Sequence, residues 1–369
     1  MSHQLGAMTT MGTTDLPTHP PRGSQGSDFT DLIRLVRRAG LLRRRHGYYA
    51  AQIAVNLLLL AATAAAFLLI GDSWWQLVVA VILAMVSTQF AFVGHDAGHQ
   101  QIFRSRRAND LVGRIHGAIT GISYQWWVGK HNRHHANPNH EGSDPDIDIP
   151  ALAFSPEQAR NKRGLLRWVA KYQAFLFFPM LLAEAVMLRI SSFQAALRRE
   201  VRSSASETVL LVLNTVGYLA IVFGVLSPLK AVLFILVHQG VMGVYLGCAF
   251  APNHKGMPIV PPDQRLDFLR RQVLTSRNIT GGRWVDVLLG GLNYQIEHHL
   301  FPNMPRARTC AACSPSCNAS ARSGASPTPS AACRAPTCGC CATCTRWGHH
   351  CDRRCPSRTG YRARSPCHR

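Results

Sequence analysis

The last 63 residues of the chain lack every large aliphatic side chain. From Ala307 to Arg369 there is no valine, leucine, isoleucine, methionine, phenylalanine, lysine or glutamate, and ten arginines stand against a single aspartate. A segment with this composition cannot bury a hydrophobic core. The sequence therefore predicts that residues 307–369 form an anomalous, disordered tail, and any folded domain has to lie in the residues before it.

Cysteine is nearly absent from the rest of the chain. Eleven of the 12 cysteines lie between Cys310 and Cys367, and Cys248 is the one that precedes them. The N-terminal residues do not resemble a secretory signal and the cysteine spacing repeats no disulfide framework, which disfavours a disulfide scaffold. Zinc binding by the CxxC pair Cys310 and Cys313 is a second interpretation. We favour a third, GC-rich DNA read out of frame, in which the tail is not native sequence.

Charged side chains are missing from two long stretches. Residues 50–70 and 74–94 contain none, and residues 208–226 and 229–250 form a second apolar pair. Each stretch is long enough to cross a hydrocarbon core of ~30 Å. Buried helices of a soluble protein are the alternative. We predict an all-α, multi-pass membrane protein with four transmembrane helices in two hairpins, together with cytoplasmic or interfacial helices.

Arginines precede each hairpin, so the positive-inside rule places the N-terminus and the end of the second span in the cytoplasm. We predict that the protein lies in the cell membrane with its active site on the cytoplasmic side. The stretch 168–190 is apolar but carries Lys171 and Glu184. We predict that it is a helix lying at the membrane interface or against the bundle. Residues 1–40, which precede the first span, are predicted to form a flexible N-terminal segment.

Eight histidines fall in four short polar segments at the ends of the apolar stretches or between them. The segments are His95-Asp-Ala-Gly-His99, His131-Asn-Arg-His134-His135, Gln295-Ile-Glu-His298-His299 and the single His254. Spacings of three and four residues place the imidazoles of a segment on one helical face. Eight imidazoles exceed the four ligands of one tetrahedral zinc ion, which implies two metals. Imidazole suits iron, zinc and copper, so the ligand type leaves the metal open.

The motifs HDAGH, HNRHH and QIEHHLFP, in this order beside two apolar hairpins, resemble the histidine boxes of the membrane fatty acid desaturase family. The third box begins with Gln295, whereas other boxes begin with histidine. In this respect the sequence resembles the front-end or linoleoyl-CoA-desaturase-like branch. The resemblance covers residues 41–306. It implies a four-span helical domain and a cytoplasmic di-iron centre that uses O2 to insert a double bond into an acyl chain.

By motif match, the resemblance assigns metal-ligand roles to the seven histidines of the three boxes. His254 takes the place of the extra histidine that the family carries before its third box, which makes eight. They are His95, His99, His131, His134, His135, His298, His299 and His254. Polar neighbours are candidates for accepting the second ring N–H and fixing the tautomer. These candidates are Asp96, Asp144, Gln295 and Glu297, with Glu141, Asp146 and Asp148 beside them. Helix capping or solvation of loops is the alternative for each acid. His238 has no partner histidine on its helix and is left out of the site. Trp74, Trp75, Trp126 and Trp127 are predicted to be interfacial anchors.

The resemblance also implies partners: an acyl-CoA or acyl-lipid substrate and the surrounding membrane lipids. Nucleic-acid binding is disfavoured because the basic residues cluster at membrane boundaries or in the tail. The chain contains no HPGG motif of a fused cytochrome-b5-like domain. We therefore expect electrons from a separate carrier of the ferredoxin type.

Three rival functions remain open. One is a di-iron hydroxylase of a carotenoid or acyl lipid on the same scaffold, and another is a zinc-dependent membrane hydrolase. The third is a non-catalytic membrane protein.

The family normally continues past its third box with an amphipathic cytoplasmic segment. A chain without that segment is expected to keep its metal ligands but lose packing around them, which would leave the enzyme inactive.

Overall fold

The computed structural model describes residues 28–306 except residue 203. Those residues form 14 helices and no strand, and an isolated β-bridge pairs His140 with Val260. The helices are α1 (Asp28–Arg38), α2 (His46–Ile70), α3 (Gln76–Gly98), α4 (Arg106–Thr120), α5 (Tyr124–Ala136), α6 (Pro156–Asn161), α7 (Gly164–Lys171), α8 (Gln173–Leu181), α9 (Glu184–Leu197), α10 (Ser204–Val225), α11 (Pro228–His254), α12 (Phe268–Leu274), α13 (Arg283–Leu288) and α14 (Gln295–Leu300). The all-α prediction is confirmed, and the tail, residues 307–369, lies outside the described residues.

Four helices, α2, α3, α10 and α11, are long and apolar enough to cross a membrane, as the sequence predicted. Their most apolar segments differ in burial: 56% for α3 and 50% for α11, against 17% for α2 and 11% for α10. Helices α3 and α11 therefore form the centre of the bundle, while α2 and α10 present apolar side chains outward. Such a surface is stable in lipid and not in water.

The turns of the two hairpins contact each other. The Asp72 carboxylate, in the α2–α3 turn, accepts a hydrogen bond from the backbone N–H of Ser227 (2.9 Å) and lies 3.1 Å from Lys230 Nζ. Because α3 and α11 both start from this joined end, they run in the same direction. Their C-terminal ends, which carry His95, His99 and His254, therefore lie together at the opposite end of the bundle.

The prediction of a single helix over residues 168–190 is wrong. The chain there is divided among α7, α8 and α9, and α8 meets α9 at 69°. Pro179, inside α8, has no backbone N–H to donate, and α8 ends two residues later. The break packs closely on α11, where a Cβ at Gly243 would lie 2.2 Å from the Leu181 carbonyl oxygen. Counted as one bent span, α8 and α9 would raise the number of spans to five.

The predicted flexible segment does not extend over residues 28–38, which form α1. Leu32 and Val36 of α1 are buried against Leu269, Leu300 and Met304. The amphipathic pattern of α1, with apolar side chains at positions 29, 32, 33 and 36, accounts for this packing. Residues 1–27 lie outside the described residues. Helices α1 and α12 thus supply packing around the third histidine box.

Helices α4 and α5 form a hairpin that carries the second box to the first. Helix α4 returns along α3, with the His116 ring 5.3 Å from the Phe90 ring between centroids. Polar side chains support the turn: Asn214 Nδ2 donates to the Ile119 carbonyl (3.0 Å), and the Ser123 N–H donates to Ser192 Oγ (3.0 Å). Helix α5 then leads back toward the end of α3.

Candidate metal centre

All eight histidines of the four polar segments converge at one end of the bundle. The first group comprises His95, His99, His131 and His298, and the second comprises His134, His254 and His299. Within each group, one ring nitrogen per residue lies within 4.8 Å of those of the others. His135 lies between the groups, with ring centroids 4.5 Å from His99 and 4.1 Å from His299. Two adjoining sets of imidazoles are thus assembled from α3, α5, α11 and α14.

Local helical geometry accounts for much of this arrangement. His95 and His99 are one turn apart at the end of α3, and their ring centroids are 4.7 Å apart. His131 and His135 are related in the same way on α5, with Nε2 atoms 3.1 Å apart. His134 points to the other group, where its Nε2 lies 3.3 Å from Nε2 of His254.

Two acidic residues, both candidates from the sequence, contact histidine rings on the side away from the cluster. His95 Nδ1 lies 3.2 Å from Asp96 Oδ1, and His134 Nδ1 lies 3.0 Å from both carboxylate oxygens of Asp144. An acceptor at Nδ1 favours the tautomer that carries the proton there. The Nε2 lone pair of each ring is then directed at the cluster.

Two further ring partners were missed by sequence reasoning. His254 Nδ1 lies 3.0 Å from the Thr275 carbonyl oxygen, and His299 Nδ1 lies 2.9 Å from Gln272 Oε1. Both partners belong to α12 or the residue after it, a segment with no histidine in its sequence. Nothing in the local pattern identifies them, because their role depends on the packing of α12 against α14.

The other two predicted neighbours take different positions. Gln295 Nε2 lies 2.9 Å from His254 Nε2, and its Oε1 accepts a hydrogen bond from Asn253 Nδ2 (3.2 Å). Glu297 accepts a hydrogen bond from Asn278 Nδ2 (2.8 Å). Gln295 therefore faces the second histidine group, while this contact directs Glu297 toward the loop that precedes α13.

The donor set fits metal ions. The Nε2 atoms of His95, His99, His298 and His299 are buried and have no hydrogen-bond partner among the described residues. A buried polar atom without a partner costs about 1–3 kcal/mol, so four of them in one cluster require an explanation. Metal–nitrogen bonds of about 2 Å place two ligands of a tetrahedral ion roughly 3.3 Å apart. Two imidazole nitrogen pairs in the cluster, His131–His135 at 3.1 Å and His134–His254 at 3.3 Å, match that spacing.

The protonation of the imidazoles also suits metal binding. Burial, reinforced by neighbouring imidazoles, lowers the pKa well below its ordinary value for His99, His131, His135, His298 and His299. These rings are therefore neutral near pH 7, which is the form that binds metal. His134 differs: burial opposes its protonation, but the carboxylates of Asp146 and Asp144 raise its pKa.

Two residues outside the boxes were assigned roles from the sequence. The ring of Trp127, which was predicted to be an interfacial anchor, stacks on His131 with centroids 4.4 Å apart. His238 lies outside the cluster, as predicted, and its Nδ1 is 2.9 Å from Tyr218 Oη. Trp127 forms a side wall of the first histidine group.

The fold and this cluster define a helical membrane protein with a candidate histidine-ligated metal centre. The family described as "Fatty acid desaturase" matches residues 72–310. The chain belongs to the fatty acid desaturase family, which confirms the resemblance predicted from the histidine boxes.

Its relatives are front-end desaturases, the branch predicted from Gln295. It is 35% identical over 248 residues to the Delta(6)-fatty-acid desaturase fat-3 of Caenorhabditis elegans, covering 62% of this chain and 55% of the relative. It is 31% identical over 297 residues to the acyl-lipid (9-3)-desaturase of Physcomitrium patens, covering 76% and 55%. For the Delta(5) fatty acid desaturase fat-4 of C. elegans the identity is 30% over 293 residues, covering 75% and 64%. The chain spans about half the length of the curated relatives it matches.

Proposed function

We propose that the chain is an oxygen-dependent fatty acyl desaturase that introduces a cis double bond into an acyl-CoA or acyl-lipid through a histidine-ligated di-iron centre. The observation that carries this proposal is the pair of adjoining histidine groups with His135 between them. A set of this size exceeds what one zinc ion requires. The names of the relatives support fatty acyl chains as the substrate class.

The two groups suggest how the ligands are divided. His95, His99, His131 and His298 would hold one iron, and His134, His254 and His299 would hold the other. His135 is close to both groups. Bound there, the iron pair supplies the oxygen-activating chemistry that removal of hydrogen from an unactivated methylene demands. Asp96, Asp144, Gln272 and the Thr275 carbonyl orient the rings from behind.

The chain's own residues give the first group an apolar flank. The Phe250 ring centroid lies 6.4 Å from that of His95, and the Trp127 ring lies 5.4 Å from it. An acyl chain is a long apolar ligand, and burial of each methylene contributes about 0.8 kcal/mol. We propose that the reacting part of the acyl chain lies on this flank, where the aromatic side chains exclude water.

We propose that the centre lies on the cytoplasmic side of the cell membrane, since arginines precede both hairpins at the end where the histidines lie. Arg34 and Arg106 are strongly exposed, with 64% and 83% of their side-chain surface accessible. They lie on α1, which packs near the third box, and on α4, which follows the first. An acidic electron carrier of the ferredoxin type would complement this surface.

The proposed desaturase domain comprises residues 41–306, to which α1 adds packing. The family match over residues 72–310 supports a boundary near Arg306. The tail that follows is proposed to have no part in the chemistry. The packing of α1 and α12 around the third box supports an active chain.

Lipid analysis tests the proposed function. The full chain is expressed in a host that lacks polyunsaturated fatty acids, supplied with candidate acyl substrates, and its lipids are analysed by mass spectrometry. A new double bond that requires O2 and is lost in the His298→Ala variant supports the proposal. A new hydroxyl group would identify a hydroxylase instead. One zinc ion per chain with turnover in the absence of O2 would identify a hydrolase.

A further inference from the structure

A buried ion pair links the first histidine box to the segment after the third. Arg306 Nη2 lies 2.9 Å from Asp96 Oδ2, and the two side chains are only 5% and 3% exposed. An isolated buried charge is strongly unfavourable, so each partner requires the other. The pair is separated by 210 positions in sequence and joins two segments that both carry histidines of the cluster.

Asp96 is the residue through which this link reaches the cluster. Its Oδ1 atom lies 3.2 Å from His95 Nδ1, while its Oδ2 atom faces Arg306 and lies 3.1 Å from Tyr49 Oη. The two oxygens of one carboxylate are thus divided between a metal-site histidine and a cation. The orientation of the carboxylate, and with it that of the His95 ring, depends on what holds Oδ2.

Gln101 ties the backbone near Arg306 to the same point. Its Oε1 atom accepts hydrogen bonds from Tyr49 Oη (2.8 Å) and from the backbone N–H of Arg306 (3.1 Å), and its Nε2 donates to the Pro302 carbonyl (2.8 Å). Arg306 is therefore held at its backbone as well as at its guanidinium. The position of the guanidinium relative to Asp96 is set by the loop that follows α14.

We propose that Arg306 is a positioning residue for the metal centre. Its guanidinium holds the Asp96 carboxylate against His95 Nδ1, so that His95 Nε2 faces the first histidine group. The inference rests on the proposed metal-binding function of that group. It assigns a role in the centre to a residue outside the three boxes, adjacent to the change in composition at residue 307.

The test uses the full chain in detergent, freed of metal and titrated with Co2+, whose visible absorption reports its ligands. The Arg306→Gln variant is expected to bind Co2+ 10–100-fold more weakly at one of two sites, with an altered spectrum, as for the loss of a group that orients a ligand. Arg306→Lys, which keeps the charge, is expected to recover part of that loss. Met304→Ala is the matched control, because Met304 is buried in the same segment but packs against Leu32 and Leu300 rather than Asp96.

A double variant separates positioning from a folding defect. Arg306→Gln leaves the Asp96 charge buried without its partner, whereas Asp96→Asn combined with Arg306→Gln removes both charges. If Arg306 acts through Asp96, the double variant folds and its Co2+ affinity equals that of Asp96→Asn alone, since coupled residues are non-additive. The proposal is overturned if Arg306→Gln changes the Co2+ spectrum no more than Met304→Ala does, or if the two losses add.

These outcomes are distinguishable from failure of the proposed function. A chain that binds two Co2+ ions and responds to Arg306→Gln as expected, but forms no double bond with iron, would retain the positioning role and lose the desaturase assignment. A chain that binds no Co2+ at the first group overturns both. Neither reading depends on turnover by the iron-loaded protein.

Discussion

His135 and His299 stack face to face, with ring centroids 4.1 Å apart and planes inclined by 10°. His135 also lies close to His99 and His131 of the first group, whereas His299 belongs to the second. The stacked pair is therefore the place where the two histidine groups meet. An arrangement of this kind couples the geometry of one group to that of the other.

If the proposed centre holds two ions, replacing His135 with alanine is expected to lower the metal content of the purified chain to one or none, because the ring borders both groups. Mass spectrometry of bound metals measures the change. His140→Ala is the matched control, since the His140 ring lies outside the cluster and its Nδ1 is 3.0 Å from the Glu141 carbonyl oxygen. Equal metal content in the two variants would contradict a role for His135 at the centre.

Gln272 is expected to be required for metal affinity even though it lies outside every histidine box. Gln272→Leu leaves His299 Nδ1 without its acceptor, so the ring loses its fixed tautomer. We expect metal affinity to fall 10–100-fold, measured by competition with a chelator. The same substitution at exposed Gln194 in α9 should leave the affinity unchanged. Similar metal affinities for the two variants would show that metal binding does not depend on the contact between Gln272 and His299.

Gly243 is expected to tolerate no side chain. A Cβ there would lie 2.2 Å from the Leu181 carbonyl oxygen, at the break between α8 and α9, whereas a Cβ at Gly217 of α10 meets nothing within 4 Å. Gly243→Ala should lower the unfolding temperature in detergent by several degrees. Gly217→Ala should raise it slightly, because alanine is better than glycine in a helix by about 0.5–1 kcal/mol. Equal shifts in unfolding temperature for the two variants would mean that α11 does not pack against the break between α8 and α9.

His116 is expected to make the fold less stable in mild acid. Burial lowers its pKa below the ordinary value of 6.5, so as pH falls below that value the unfolded chain takes up a proton that the folded chain does not. The free energy of unfolding then falls by up to about 1.4 kcal/mol per pH unit for this one group. His116→Asn cannot titrate, and its amide can still donate toward the Val112 carbonyl. Between pH 6.5 and 5, the free energy of unfolding should fall less for the variant than for the parent chain, measured by denaturant unfolding at each pH. Parallel curves of unfolding free energy against pH would refute this.

The proposed boundary at Arg306 predicts the outcome of limited proteolysis. Trypsin cleaves after arginine, and the tail contains ten of them. Brief digestion of the full chain is expected to remove the tail while the helical domain remains intact. Protection of the tail at the rate of the helical domain would instead indicate that residues 307–369 pack on the fold.

Much of the fold follows from hydropathy alone. The uncharged stretch 74–94 overlaps α3, but α3 begins at Gln76 and continues to Gly98, and so carries the first box on the end of a span. The prediction of one helix over residues 168–190 failed because apolar composition does not indicate a bend. The bend depends here on Pro179 and on the close contact at Gly243. The amphipathic α1 was missed because its apolar face has a partner only once α12 and α14 are in place.

The candidate site was predictable where chemistry and sequence position coincide. Asp96 and Asp144 are near their histidines along the chain, so proximity identified them. Gln272 and Thr275 reach the cluster only through packing, and no local pattern distinguishes them from other polar residues. The stacking of Trp127 on His131 also depends on packing, and no sign of it is present in the sequence.

The second histidine group draws its members from α5, α11 and α14, so its three rings lie 120 and 45 positions apart along the chain. A ribosome that has synthesised the first two boxes has produced none of the segment that closes this group. Under the proposed function, the second ion can be fully enclosed only after residue 299 has been translated and α14 has docked beneath the inserted spans. Metallation is then a late event in biogenesis, and nascent chains that stall before that point would be inserted in the bilayer but empty of their cofactor.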